Sequence, residues 1–117
     1  MIIIMSGGVG GSKFIRGLSS LVNNTCLTVI GNTGDDMQLW GLHISPDLDT
    51  IMYTMANIQN KENGWGIDFD SFNCLEMMKK IGGESWFRLG DQDLAVHLFR
   101  TEAIINGFSL SKITEEL

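Results

Sequence analysis

The stretch Ile2-Ile3-Ile4-Met5-Ser6-Gly7-Gly8-Val9-Gly10-Gly11 decides the fold. A short, continuous apolar run that ends in glycines reads as a buried parallel strand opening into a tight loop. Beyond it, Lys13 to Leu21 has helical spacing, with Phe14, Leu18 and Leu21 on one face. Cys26 to Ile30 is a second short apolar run, partly β-branched, and reads as a second strand. Strand, glycine loop, helix and strand form a βαβ unit, which implies a parallel sheet and a right-handed crossover.

Helices are expected through the rest of the chain. Ser45-Pro46 opens one, with serine as the cap and proline at the first helical position. Leu48, Ile51, Met52, Met55 and Ile58 then follow helical spacing toward a core. Another is expected over Ser71 to Ile81, with Phe72, Leu75, Met78 and Ile81 inward and Gly82-Gly83 as its stop. Asp91 is placed to cap a helix running to about Ile105, and Ser109 to cap one beginning at Leu110. Two strands are fewer than a doubly wound sheet needs, so the α/β domain reads as incomplete.

The bulk numbers exclude several classes. At 117 residues the chain suits one small domain. With 14 acidic and 8 basic residues the formal charge is -6, which argues against general binding to nucleic acid or an anionic membrane. Cys26 and Cys74, the only cysteines, lack metal-ligand spacing, and a reduced, cytoplasmic protein is expected. The apolar run before Ser6 is too short for a signal peptide or a membrane span.

Four motifs carry the chemistry. The glycine loop fits neither G-x-G-x-x-G nor the P-loop pattern, because Lys13 and Ser12 stand where those need glycine. Its amides and the following helix start can still bind phosphate, with Lys13 as a nearby cation; the alternative is a turn needed only for close packing. Asn32-Thr33-Gly34-Asp35-Asp36 follows the second strand, where open α/β sheets bind ligands; the alternative is a polar turn. Ser45-Pro46-Asp47-Leu48-Asp49-Thr50 puts two carboxylates in a helix's first turn, where the helix dipole favours them in any case. Leu89-Gly90-Asp91-Gln92-Asp93-Leu94 has the same ambiguity. Asp35, Asp36 and Asp49 together offer the oxygen ligands of a Mg²⁺ site. His43, in the expected loop before Ser45, is within reach of that site, while His97 reads as structural or partly exposed. Trp40, Trp65 and Trp86 could stack on a flat ligand, with core or interface packing as the alternative.

Taken together, these stretches resemble the N-terminal half of the 2-phospho-L-lactate transferase (CofD-like) family. The resemblance runs from Gly7-Gly8-Val9-Gly10-Gly11 and Asn32-Thr33-Gly34-Asp35-Asp36 through Gly41 to Thr50, Gly64-Trp65-Gly66 and Gly82 to Phe87. It continues from Leu89 to Ala95, through His97-Leu98, to Arg100-Thr101-Glu102. It implies a Rossmann-like fold and a Mg²⁺-dependent enzyme. Such an enzyme moves a phospholactyl or similar phosphorylated three-carbon acid group from a guanosine-diphosphate-activated donor. The acceptor is a hydroxyl of the deazaflavin Fo, GMP leaves, and the product is a precursor of coenzyme F-420.

On that resemblance, Gly7, Gly8, Val9, Gly10, Gly11 and Lys13 go to the donor phosphates, and Asn32 is a further ligand-binding candidate. Asp35, Asp36 and Asp49 go to metal or to the acceptor hydroxyl, Asp36 and Asp49 being the catalytic candidates. His43 and Trp40 go to the deazaflavin side. Two features depart from the family: Ser12 replaces a small apolar residue, and family members are more than twice this long. Two competing readings are a CofD-like regulatory protein that binds a nucleotide sugar, and a non-catalytic half-domain. A homodimer would cover surface that a half-domain exposes.

Overall fold

The computed structural model describes residues 1–117, apart from the side chain of Asn24. Strand β1 (Ile2–Ser6) and strand β2 (Leu27–Gly31) pair in parallel, from Ile2 opposite Leu27 to Ser6 opposite Gly31. Helix α1 (Val9–Ser19) crosses between them. This is the expected βαβ unit in an α/β fold, consistent with part of a Rossmann-like domain. Because the register ends level, the glycine loop and Asn32 leave the sheet side by side, and the Asn32 N–H donates to the Ser6 carbonyl at 2.8 Å.

Helix α1 begins inside the glycine loop, earlier than the expected Lys13. Its inward residues are Ser12 and Ile15, whereas Phe14 and Leu21 are exposed, contrary to the expected face. The hydroxyl of Ser12 donates to the Val9 carbonyl at 2.9 Å, which satisfies its polar group in a buried position. Strand β1 reads as buried, yet Ile3 and Met5 are exposed. Among the described residues only β2 pairs with it, so the apolar run has an open edge.

A hairpin that the sequence pattern misses follows: β3 (Met37–Leu39) and β4 (Leu42–Ile44), antiparallel, turning at Trp40 and Gly41. Both turn residues have positive φ, 53° and 76°. That geometry normally calls for Asn-Gly or Asp-Gly, so a Trp-Gly turn carries no ordinary hairpin signal. The Trp40 indole N–H donates to the Glu84 carbonyl at 3.1 Å, an anchor for the unusual turn. His43 therefore lies on a strand, not in a loop.

Helices α2 (Pro46–Met55), α3 (Asn73–Lys80), α4 (Asp91–Ile105) and α5 (Leu110–Glu116) complete the chain close to their expected places. Gly82, at φ 82°, ends α3, and the Ser109 hydroxyl caps α5 by accepting from the Lys112 N–H. The face of α2 departs from the periodic reading. Met55 and Ile58 are exposed, while Asp49, Thr50, Tyr53 and Thr54 are buried. On α4 the buried residues are Asp93, His97 and Arg100. Two polar faces meet inside the protein, and their mutual hydrogen bonds and ion pair make that burial tolerable.

Candidate active site

Helix α2 starts at the centre of the site and sends one aspartate to each side. Asp47 turns toward the glycine loop. Its Oδ2 accepts from the Asn32 side-chain amide at 2.8 Å, and the same amide lies 3.3 Å from Asp35 Oδ2. The Asn32 side-chain Oδ1 accepts from the Gly34 N–H at 3.0 Å, so Asn32 is clipped within its own turn. A side chain at Gly8 would place its Cβ 2.7 Å from Asp47 Oδ1, so Asp47 would have to shift. No side chain caps the start of α1. A cavity of about 450 Å³ opens at these strand ends, lined by Ser6, Gly7, Asn32 and Thr33. Gly7, Gly8 and Asn32 are thus together; Lys13 is exposed, further along α1.

Asp36 forms a second group. Its Oδ2 is 3.0 Å from His43 Nε2 and accepts from the Ser45 hydroxyl at 2.9 Å. Ser45 sits at the cap position of α2 but makes no side-chain cap bond; its hydroxyl is committed to Asp36. The His43 N–H donates to the Thr101 hydroxyl at 2.8 Å, which ties β4 to α4. The other oxygen, Asp36 Oδ1, is buried without a hydrogen-bond partner among the described residues. A buried carboxylate oxygen without a donor calls for a cation or a water.

Asp49 forms a third. Arg100, with 0% exposure, grips it with two nitrogens: Nη1 donates to Oδ2 at 3.2 Å and Nη2 to Oδ1. Arg100 Nη1 also lies 3.2 Å from His97 Nδ1. A guanidinium only donates, so Nδ1 accepts and the ring proton sits on Nε2. Nε2 is 3.2 Å from Asp93 Oδ1 but off the line of a hydrogen bond. The Tyr53 hydroxyl donates to the same Asp93 oxygen at 2.5 Å. Burial pushes the Asp49 carboxyl above the usual carboxylate range, opposed by Arg100 and His97. Burial, with Asp49 and Asp93 nearby, also pushes the Tyr53 phenol up.

Asp49, Asp93 and His97 bring donor atoms within 4.8 Å of one another. That spacing alone would suit a metal. The protonated Nε2 and the guanidinium already on Asp49 make it a hydrogen-bonded ion-pair network instead. Asp35 and Asp36 belong to no such group with Asp49 among the described residues. The structure thus does not gather Asp35, Asp36 and Asp49 into one group.

Beside the Asp49 network lies a cavity of about 410 Å³ walled by Tyr53, Trp65, Trp86 and Phe87, with Asp49 and Asp93 among its lining. Trp86 and Phe87 meet edge to face, 5.6 Å between centroids. Trp40 and His43 are not among its lining residues. Arg88 sits over the Phe72 ring at 4.2 Å and borders both this cavity and one of about 460 Å³ beneath the 60–70 loop.

The family model described as 2-phospho-L-lactate transferase CofD matches residues 2–117. This chain belongs to the CofD family. It is 48% identical over 117 residues to the phosphoenolpyruvate transferase of Streptomyces coelicolor, covering 99% of this chain and 37% of the relative. Against the 2-phospho-L-lactate transferase of Methanocorpusculum labreanum the identity is 38% over 117 residues, covering 100% of this chain and 38% of the relative. That of Methanospirillum hungatei is also 38% identical over 117 residues, covering 100% of this chain and 39% of the relative. The chain thus spans well under half the length of these relatives.

Within this CofD chain, sequence reasoning picks out Asp49 but misses Arg100, His97 and Tyr53 as its surroundings. The available signal was the i, i+4 and i+7 spacing of Asp93, His97 and Arg100, which places all three on one face of α4. A charged helix face ordinarily points to solvent, and only its meeting with polar α2 reverses that.

Proposed function

We propose that the whole protein transfers a phosphorylated three-carbon acid group from a guanosine-diphosphate-activated donor to a hydroxyl of the deazaflavin Fo. A new P–O bond forms at the acceptor oxygen, the P–O bond to GMP breaks, and the hydroxyl proton leaves to a carboxylate or to water. The observation that carries this reading is the aromatic-walled cavity with Asp49 in its lining, in a chain of the CofD family. Flat rings suit Trp65, Trp86 and Phe87, and a carboxylate suits an alcohol. The glycine loop and Asn32, with Lys13 beyond them, take the donor phosphates on the other side of the α2 start. The phosphoenolpyruvyl group is the first choice of acid, since identity is 48% to a phosphoenolpyruvate transferase and 38% to 2-phospho-L-lactate transferases.

Mg²⁺ fits the residues in a narrower way than three aspartates in one shell. The unpartnered Asp36 Oδ1 is the natural ligand, held in place through Oδ2 by His43 and Ser45. Asp35, on the same turn, is the second candidate. Bound there, the ion would neutralise charge on the donor phosphates. Asp49, both oxygens engaged by Arg100, goes to the acceptor hydroxyl.

The test is an assay of the full-length protein with Fo, following GMP release and the mass of the product. Phosphoenolpyruvate-derived and phospholactate-derived donors are compared, with Mg²⁺ and with chelator. We expect turnover with Mg²⁺, faster with the first donor, and a loss of about 100-fold or more in Asp36→Asn. No phosphorylated Fo with either donor would overturn the reading.

A further inference from the structure

Asp93 has two unlike oxygens. Oδ1 is anchored from within, accepting from the Tyr53 hydroxyl at 2.5 Å with His97 Nε2 at 3.2 Å. Oδ2 has no hydrogen-bond partner among the described residues and is not among the buried orphan atoms, so it is open. Its residue lines both the aromatic cavity and the neighbouring one under the 60–70 loop. The backbone beneath it is fixed too, because the Asp93 N–H donates to Asp70 Oδ2 at 3.2 Å. A carboxylate with one oxygen tied down and the other without a partner, on a residue that lines an aromatic cavity, is an oriented acceptor for a ligand's O–H or N–H. Asp49, the other carboxylate of that cavity, accepts from Arg100 on each oxygen, and its remaining lone pairs go to the reacting hydroxyl, so a second polar group of the ligand falls to Asp93.

Resting on the acceptor-cavity reading above, we infer that Asp93 is a further substrate-binding residue. Its Oδ2 accepts a hydrogen bond from a second hydroxyl or a ring N–H of the flat alcohol seated between Trp65 and Trp86, and the Tyr53 hydroxyl on Oδ1 holds it in that orientation. The role of Tyr53 is to position Asp93, not to touch the reacting atoms. The proposal gives a use to a buried tyrosine–aspartate–histidine chain that neither the phosphate loop nor the Mg²⁺ assignment needs.

Asp93→Asn tests it in the full-length protein. Asparagine keeps an oxygen for Tyr53 and turns the open position into an amide donor without charge. Fo is the probe, titrated by fluorescence against wild type, Asp93→Asn and Trp86→Ala, with a thermal melt of each. Expected is a near-unchanged melt for Asp93→Asn, Fo binding weaker by roughly 10- to 100-fold, and an unaltered KM for the donor. Wild-type Fo affinity in Asp93→Asn, alongside lost binding in Trp86→Ala, overturns the Asp93 role and leaves the cavity reading standing. Wild-type affinity in both variants removes the two together. If Asp93→Asn does not fold, Tyr53→Phe is titrated in its place. Weakened Fo binding with unchanged donor KM supports the role, and unchanged Fo binding overturns it.

Discussion

Arg100 carries a full charge into the interior, and Asp49 answers it with both carboxylate oxygens. The worth of such a pair lies less in its presence than in the cost of breaking it, since the survivor stays buried without a counter-charge. Arg100→Met should therefore lower unfolding stability by about 3–5 kcal/mol, and Asp49→Leu by a similar amount. The double variant should lose far less than the sum. Urea melts of the four proteins form the cycle, and strict additivity would mean that the two residues are not coupled. Lost activity in an Asp49 variant accordingly has to be read beside its melt. At this scale the sequence is informative about which residues matter and poor about what they touch. Asp49 stands out by its place in Ser45-Pro46-Asp47-Leu48-Asp49-Thr50. Its partner lies 51 positions away on another helix, and no local pattern encodes that distance.

Between elements the same lesson takes another form in α3 and α4. Each helix begins with a carboxylate supplied by the other's approach. Asp70, just before α3, accepts from the Gln92 N–H at 2.8 Å and the Asp93 N–H at 3.2 Å at the start of α4. Asp91, the first residue of α4, accepts from the Cys74 N–H at 2.9 Å, the Ser71 hydroxyl at 2.7 Å and the Asn73 N–H at 2.9 Å at the start of α3. Gly90 lies against the Asp70 carboxylate, leaving no room for a side chain. The sequence marks Asp91 as a cap, and the structure shows that the helix it caps is the preceding one. The bonds hold the Asp91 carboxyl down to about 2, from an ordinary 3.8, with Cys74 the largest cause. A folded value below the unfolded one means stability that is present above about pH 4 and is lost as pH falls toward 2. Melting temperature measured from pH 6 downward should fall across that window in the wild type and fall less steeply in Asp91→Asn. Parallel curves would remove the exchange from the account of acid stability.

Across the whole molecule, α2 works as a partition. Its first turn sends Asp47 to the glycine-loop side and Asp49 to the aromatic side, two residues apart on opposite faces of one helix. On the proposed function, a donor and an acceptor on the two sides would meet at the start of α2, where the helix dipole favours anionic oxygen. The sheet that supports this arrangement is legible in the sequence as a βαβ unit, but its burial is not, because burial depends on what lies against it. β1 pairs on one edge, and Ile3, Met5 and Ile30 remain open in a chain that spans 37% of its Streptomyces coelicolor relative. An exposed apolar strand with unpaired N–H and C=O groups is a template for association. The 117-residue chain on its own should therefore bind the dye ANS strongly and elute as dimers or larger assemblies. Lys substituted at Ile3, which adds charge beside that edge, should shift elution toward monomer without removing helix content by circular dichroism. A monomeric chain silent to ANS would mean that the sheet is covered from within, and the open-edge account would fall.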